Sequence, residues 1–185
     1  MPSRGLACRP VRQIPLGILP KKQYMFKNNE LKDRVKGKIA IIGIGNRFRG
    51  DDGVGPELVD RLKSQVPNLK SQIELIDVGE VPENYLEKII QSRPDTILLV
   101  DAVDFGGPPG ETELIEPEDL KGGSFSTHNA SLKLVIDYLR SQTEATVLLL
   151  GIQPKNLRMD SGLSKPVEQA LKTVEECLIR CMNLG

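Results

Sequence analysis

The residues able to do chemistry lie where apolar runs end. Asp51 and Asp52 stand at the tip of a glycine-rich loop, Gly43-Ile44-Gly45-Asn46-Arg47-Phe48-Arg49-Gly50-Asp51-Asp52-Gly53-Val54-Gly55. That loop joins the apolar run Ile39–Ile44 to a helix-like run starting at Pro56. Such a loop normally offers open backbone N–H groups to a phosphate. The spacing from Gly45 to Gly50 is that of a P-loop, yet Asp51-Asp52 stands where a P-loop has Lys and then Ser or Thr. A carboxylate pair repels phosphate and suits a cation. Asp77 follows Glu74-Leu75-Ile76, and Asp101 follows Leu98-Leu99-Val100, with Asp104 just beyond. The only histidine, His128, sits in Ser126-Thr127-His128-Asn129, just ahead of a helix-like run.

Two carboxylates and an imidazole make a ligand set that leaves metal positions open. Oxygen and nitrogen donors of this kind fit Zn²⁺, Ni²⁺, Mn²⁺ or Fe²⁺ without choosing among them. The same carboxylates can also serve as an acid–base pair. Each residue has a plainer role to set against these: an aspartate after a strand often caps the next turn, and a lone histidine is often structural. Their convergence on one edge favours a site. Other chemistries have weaker support. Gly43-x-Gly45 lacks the third glycine of a dinucleotide fingerprint, and no Gly-x-Ser-x-Gly elbow occurs. Cys177 and Cys181 are four apart on or beside the apolar stripe of the last helix and read as core. Arg47, Phe48 and Arg49 form a basic-aromatic loop able to grip a peptide.

These residues need a scaffold, and the periodicity supplies one. Strand-like segments are expected at Lys38–Ile44, Gln72–Ile76, Thr96–Val100 and Thr146–Leu150, with Glu111–Glu116 as an edge strand. Helices are expected at Pro56–Val66, Pro82–Gln91, around Leu132, Val135, Ile136 and Leu139, and at Ser164–Met182, with Ser164 as its N-cap. This β-α alternation predicts an α/β fold, a mainly parallel sheet with helices on both faces. Ligands of such sheets bind beyond the carboxyl ends of the strands, where the aspartates fall.

The chain has 185 residues, a single ordinary domain, with 39% apolar residues and no tryptophan. Its zero net charge hides an asymmetry. Residues 1–38 hold ten Lys and Arg against Glu30 and Asp33, whereas the remainder holds 15 basic and 23 acidic residues. An acidic body argues against nucleic acid as a partner. Residues 1–37 are expected to form a basic, flexible extension, broken by Pro10, Pro15 and Pro20, and residues 38–185 a single α/β domain. No run approaches the about 18 apolar residues of a membrane span. Cys8, Cys177 and Cys181 make no disulfide framework, so a cytoplasmic protein is expected.

Five motifs together resemble one family. They are Gly45-Asn46 with Gly50-Asp51-Asp52-Gly53-Val54-Gly55, Asp77-x-Gly79-x-x-Pro82-Glu83, Val100-Asp101-Ala102-Val103-Asp104-Phe105-Gly106, Ser126-Thr127-His128-Asn129 and Gly151-Ile152-Gln153-Pro154. In order and spacing, over residues 38 to about 182, they look like a hydrogenase maturation protease. The closest likeness is to the branch serving formate-hydrogenlyase-type hydrogenases. The resemblance implies a three-layer αβα fold, with a twisted, mostly parallel five-stranded sheet and one antiparallel strand. It implies an endopeptidase, often classed as aspartic-type and metal-dependent. Such an enzyme removes the C-terminal peptide of a nickel-iron hydrogenase large-subunit precursor after nickel insertion. It implies Asp52, Asp101 and His128 as the catalytic, nickel-reading trio, with Asp51 and Asp77 supporting. The Ni²⁺ would be carried by the precursor, and Zn²⁺ or another divalent ion could occupy the site in vitro. A monomer is expected, with nickel-loaded precursor as its partner. The alternatives are a non-catalytic, nickel-dependent chaperone of the precursor and a metal-dependent peptidase of some other precursor.

Overall fold

The computed structural model describes residues 31, 33–65, 72–116 and 129–183. Strand β1 (Ile39–Ile44) leads through a 3-10 turn (Gly50–Gly53) into helix α1 (Val54–Gln65). Strand β2 (Ile73–Gly79) is followed by a second 3-10 turn (Pro82–Tyr85) and helix α2 (Leu86–Gln91). Then come β3 (Thr96–Ala102), β4 (Thr112–Ile115), helix α3 (Asn129–Gln142), β5 (Thr146–Ile152) and helix α4 (Lys165–Asn183).

The strands form one sheet in the order β2-β1-β3-β5-β4. All neighbours run parallel except β4, which is antiparallel to β5. This is the expected fold, including its one antiparallel strand. The two central strands β1 and β3 are buried along their whole length, as strands covered on both faces must be. Their side chains alternate between two cores. Ile39, Ile41, Leu98 and Val100 pack with α1 and α4 through Leu58, Leu62, Val167, Leu171 and Val174. Ala40, Ile42, Ile97 and Leu99 pack with α2 and α3 through Ile89, Leu132, Val135, Ile136 and Leu139. The chain leaves β1 towards β2 on one side, and β3 starts the run to β5 and β4 on the other. The strand order therefore reverses between β1 and β3, and a crevice opens beyond their carboxyl ends.

Some boundaries differ from expectation. The strand expected to stop at Ile76 runs on to Gly79, and the one expected to stop at Val100 runs on to Ala102. Ladder pairing depends on the backbone, so Asp77 still pairs with Gly43 and Asp101 with Gly151. The helix expected over Pro82–Gln91 is split into a 3-10 turn and a short α-helix. Val66 lies outside the described residues. Leu31 and Val35, placed by sequence in the extension, are buried in the core with α1 and α4. Lys36 holds them there by exchanging backbone hydrogen bonds with the Thr96 hydroxyl at 3.0 and 2.8 Å. The packed body therefore starts before Lys38.

Candidate active site

Helix α1 begins directly over the crevice because two glycines let it. A Cβ on Gly55 would lie 2.4 Å from the Val100 carbonyl oxygen and 2.5 Å from that of Ile44. Only a glycine allows the helix start to rest on the ends of both β1 and β3. Gly45 takes φ +130°, and a Cβ there would strike the Asp52 carbonyl oxygen at 1.8 Å. The loop thus folds back on itself, and the turn carrying Asp51 and Asp52 is seated at the strand-order reversal.

Asp52 is 6% exposed, and its Oδ2 accepts the Asn46 N–H at 2.9 Å. Asp101 is 1% exposed, at the end of β3. Neither of its carboxyl oxygens has a hydrogen-bond partner among the described residues. A buried polar group without a partner is costly, and a buried charge more so. Burial, together with the neighbouring Asp52 charge, pushes the Asp101 carboxyl from 3.8 up to about 8. The Ala102 N–H favours the charged form but does not reach hydrogen-bonding geometry. By alternation with Ile97 and Leu99, Asp101 falls on the face covered by α2 and α3. His128 precedes α3 directly in sequence but lies outside the described residues, as do Ser126 and Thr127. Among the described residues no group of three or more His, Cys, Asp or Glu gathers as a metal site.

The structure separates the two supporting carboxylates from the pair. Asp51 is completely buried and accepts four hydrogen bonds, from the Lys155, Asn156 and Ser164 N–H groups and the Ser164 hydroxyl. Ser164, expected to cap α4 with its own hydroxyl, gives that hydroxyl to Asp51. Asp77 binds Arg47 through Oδ2, at 2.6 Å to Nη2 and 3.2 Å to Nε, and takes the Gly79 N–H on Oδ1 at 3.0 Å. Both carboxylates are engaged by protein donors, Asp51 by four and Asp77 by Arg47 and the Gly79 N–H. Arg47 also pairs with Asp60 at 2.7 Å, so it lies against the body instead of reaching outward. Phe48 does reach out, 68% exposed. It lines a cleft of about 400 Å³ with Asn46, Asp77, Gly79, Glu80 and Tyr85.

Sequence reasoning quoted Gln153 without giving it a task. It is buried, and its Oε1 accepts the Phe105 and Gly107 N–H groups at 3.0 and 3.1 Å. Its Nε2 donates to Asp104 at 3.0 Å. Gln153 therefore shapes the loop that follows Asp101, and Asp104 serves that loop. A lone amide ending an otherwise apolar strand was the available signal. Cys177 and Cys181 are half-buried, with Cys177 packed on the core as expected. Its hydrogen bond with Cys181, opposed by burial and aided by Arg180, brings the Cys177 thiol down to about 7.

Comparison with known proteins shows the family and agrees with the fold. A family model described as hydrogenase maturation protease matches residues 56–181, beginning just after the Asp51-Asp52 turn. The Hydrogenase 3 maturation protease of Escherichia coli (strain K12) is 35% identical over 140 residues, 75% of this chain and 87% of that protein. A putative hydrogenase maturation protease of Methanocaldococcus jannaschii is 34% identical over 133 residues, 68% of this chain and 78% of that protein. The crystal structure of a NiFe hydrogenase maturation protease from Thermococcus kodakarensis superposes with a TM-score of 0.74 at 33% identity, covering 83% of this chain and 98% of that one. With matches of this extent, the chain belongs to the hydrogenase maturation protease family, a family of endopeptidases and so of hydrolases.

Proposed function

We propose that this protein removes the C-terminal peptide of a nickel-iron hydrogenase large-subunit precursor once nickel has been inserted, and that Asp52, Asp101 and His128 read that nickel. One observation supports this above the others: a buried aspartate whose two oxygens have no hydrogen-bond partner among the described residues neighbours a second acid at the strand-order reversal. A cation is the partner that such a pair lacks. Oxygen donors supplemented by an imidazole suit Ni²⁺, and Zn²⁺ or another divalent ion would bind the same donors in vitro.

Nickel held there would supply Lewis acidity at the scissile carbonyl or to a water. The chain's own residues set the conditions. Asp101 keeps its proton while the site lacks a cation and surrenders it when one arrives, because metal binding selects the ionised ligand. The Asn46 N–H holds Asp52 in place, and the glycine contacts of α1 fix the distance between the two acids. A precursor without nickel would leave the acids unbridged and would dock poorly, which makes the site a checkpoint. Positioning one peptide bond beside a fixed centre supplies much of a rate enhancement. This proposal carries with it a cytoplasmic monomer; among the described residues no helix is long and apolar enough to cross a membrane.

The test is mass spectrometry of precursor incubated with the protein, nickel-loaded and nickel-free samples side by side. Loss of a short C-terminal peptide from the loaded sample alone is expected, and the His128→Ala protein should leave that sample uncut. Equal cutting of both samples would overturn the nickel checkpoint. Normal processing by His128→Ala would overturn the trio. Binding without cutting would favour the chaperone.

A further inference from the structure

We propose that Asp51 is a positioning residue, a buried clasp that ties the Asp52 turn to the segment between β5 and α4 and so sets Asp52 against Asp101. The inference rests on the function proposed above and assigns a role within that site.

The geometry leaves Asp51 little else to do. A carboxylate has about four acceptor positions. Asp51 accepts Ser164 N–H at 2.6 Å on Oδ1, and Lys155 N–H at 2.8 Å, Asn156 N–H at 2.9 Å and Ser164 Oγ at 2.9 Å on Oδ2. Both oxygens are thereby committed to this one stretch of chain. All four donors belong to residues 155–164, a single stretch beyond β5. That stretch meets the loop carrying Asp52 at further points. The Asp51 N–H donates to the Asn156 carbonyl at 2.9 Å, the Asp160 N–H donates to the Phe48 carbonyl at 2.7 Å, and Arg49 bridges to Ser161. Ser164 immediately precedes α4, whose Val167, Leu171 and Val174 share a core with Leu58 and Leu62 of α1. The carboxylate therefore sits at the amino end of a 19-residue helix, where a negative charge is favoured.

Asp52 needs such a hold. It is the next residue in a four-residue turn. Upstream, its carboxylate takes the Asn46 N–H and its own N–H donates to the Arg49 carbonyl at 3.2 Å. Downstream, the Asp51 clasp joins the turn to α4 and through it to the core under α1. Charge-assisted bonds of this kind are among the stronger ones available. Asparagine cannot take the place of Asp51. Both oxygens accept from N–H groups, so an amide NH₂ in either position would face a donor.

The experiment compares wild type, Asp51→Asn and Ser164→Ala as full chains on nickel-loaded precursor. Altering a residue that orients a ligand typically costs about 10–100-fold in activity or metal affinity. Asp51→Asn should lose kcat by that amount, with KM for the precursor rising as nickel affinity falls and the pH profile of kcat lowered without a change of shape. Ser164→Ala, which removes one donor and keeps the carboxylate, should lose a smaller part of kcat. Calorimetric affinity for Ni²⁺ alone should weaken in the same order. Wild-type kcat and Ni²⁺ affinity in Asp51→Asn would overturn the proposal. So would loss of the acidic limb of its pH profile, which would make Asp51 the base itself. If Asp51→Asn does not fold, Ser164→Ala decides, and wild-type values there overturn it. If wild type cuts neither precursor, the proposed function fails, while the Ni²⁺ affinities still judge the clasp.

Discussion

Asp101 is where the site's energy and its chemistry meet. Its carboxyl is pushed from 3.8 up to about 8 by burial and by Asp52, and the sign of the resulting linkage is fixed. Below the unfolded value both states hold the proton and the shift has no effect on stability. As pH rises the unfolded chain releases it while the fold does not, so stability falls until the folded group also ionises near pH 8. Such a shift amounts to a penalty on the order of 5 kcal/mol. In metal-free protein, Asp101→Asn should therefore melt higher than wild type, with a gap that widens from pH 5 to pH 8 and levels off above pH 9. A gap independent of pH, measured by calorimetry across that range, would mean that Asp101 ionises normally. The same substitution should abolish processing of nickel-loaded precursor. The sequence already named this residue as one of a set of acids at strand ends. Only the family resemblance ranked them; residue type and spacing could not, because burial and partners are properties of the fold. Asp51 and Asp77 carry the same chemistry as Asp101 in a list of residue types, yet Asp51 has four donors and Asp77 an arginine.

At the scale of elements, periodicity located strands β1 to β5 and helices α1 to α4 because the core strands are apolar and these helices carry clear stripes; it did not locate the helical residues 31, 33 and 34. Its errors have physical causes. Asp77 and Asp101 look like strand endings to a hydropathy reading, but the ladder is made by backbone groups, so both aspartates stay paired in it. The Pro82–Gln91 stretch reads as one helix from the spacing of Leu86, Ile89 and Ile90; the structure makes its first residues a 3-10 turn. What the sequence left hidden was why the glycines matter. Gly55 is not a phosphate-loop relic; it lets α1 rest on the carbonyls of Val100 and Ile44. Gly55→Ala should accordingly displace α1, since backbone atoms of two central strands cannot yield as a flexible side chain would. Overpacking of this sort costs about 1–3 kcal/mol and sometimes more, and this site belongs at or above the upper end. Urea unfolding should show the loss, and processing should fall further than stability, because the turn carrying Asp52 moves with the helix. A Gly55→Ala protein with wild-type stability would mean that the helix start is less tightly seated than these contacts require.

For the whole molecule, the question is where the domain begins. Charge and proline content divided the chain near Lys38, and the five motifs that carry the family likeness begin beyond it. Neither signal could report that two aliphatic residues of an otherwise basic stretch are core. Leu31 is fully buried and Val35 nearly so, in the layer with α1 and α4. Arg34 reaches Glu116 at 2.7 Å, and Lys36 is joined to Thr96. The Arg34 pair is partly exposed and adds little, so the apolar side chains dominate. Removing a buried leucine costs about 2–5 kcal/mol, and in a chain of this size each kcal/mol lowers the melting temperature by about 2–4 °C. A protein lacking residues 1–36 should therefore melt on the order of 10 °C below one lacking residues 1–30. The active edge lies at the opposite, carboxyl ends of β1 and β3 from Lys36 and Thr96, so both truncated proteins should process nickel-loaded precursor comparably well below their melting points. Equal melting temperatures would return the boundary to Lys38. A loss of precursor binding shared by both, with folding intact, would instead make residues 1–30, with their excess of Arg and Lys, a docking element for the substrate.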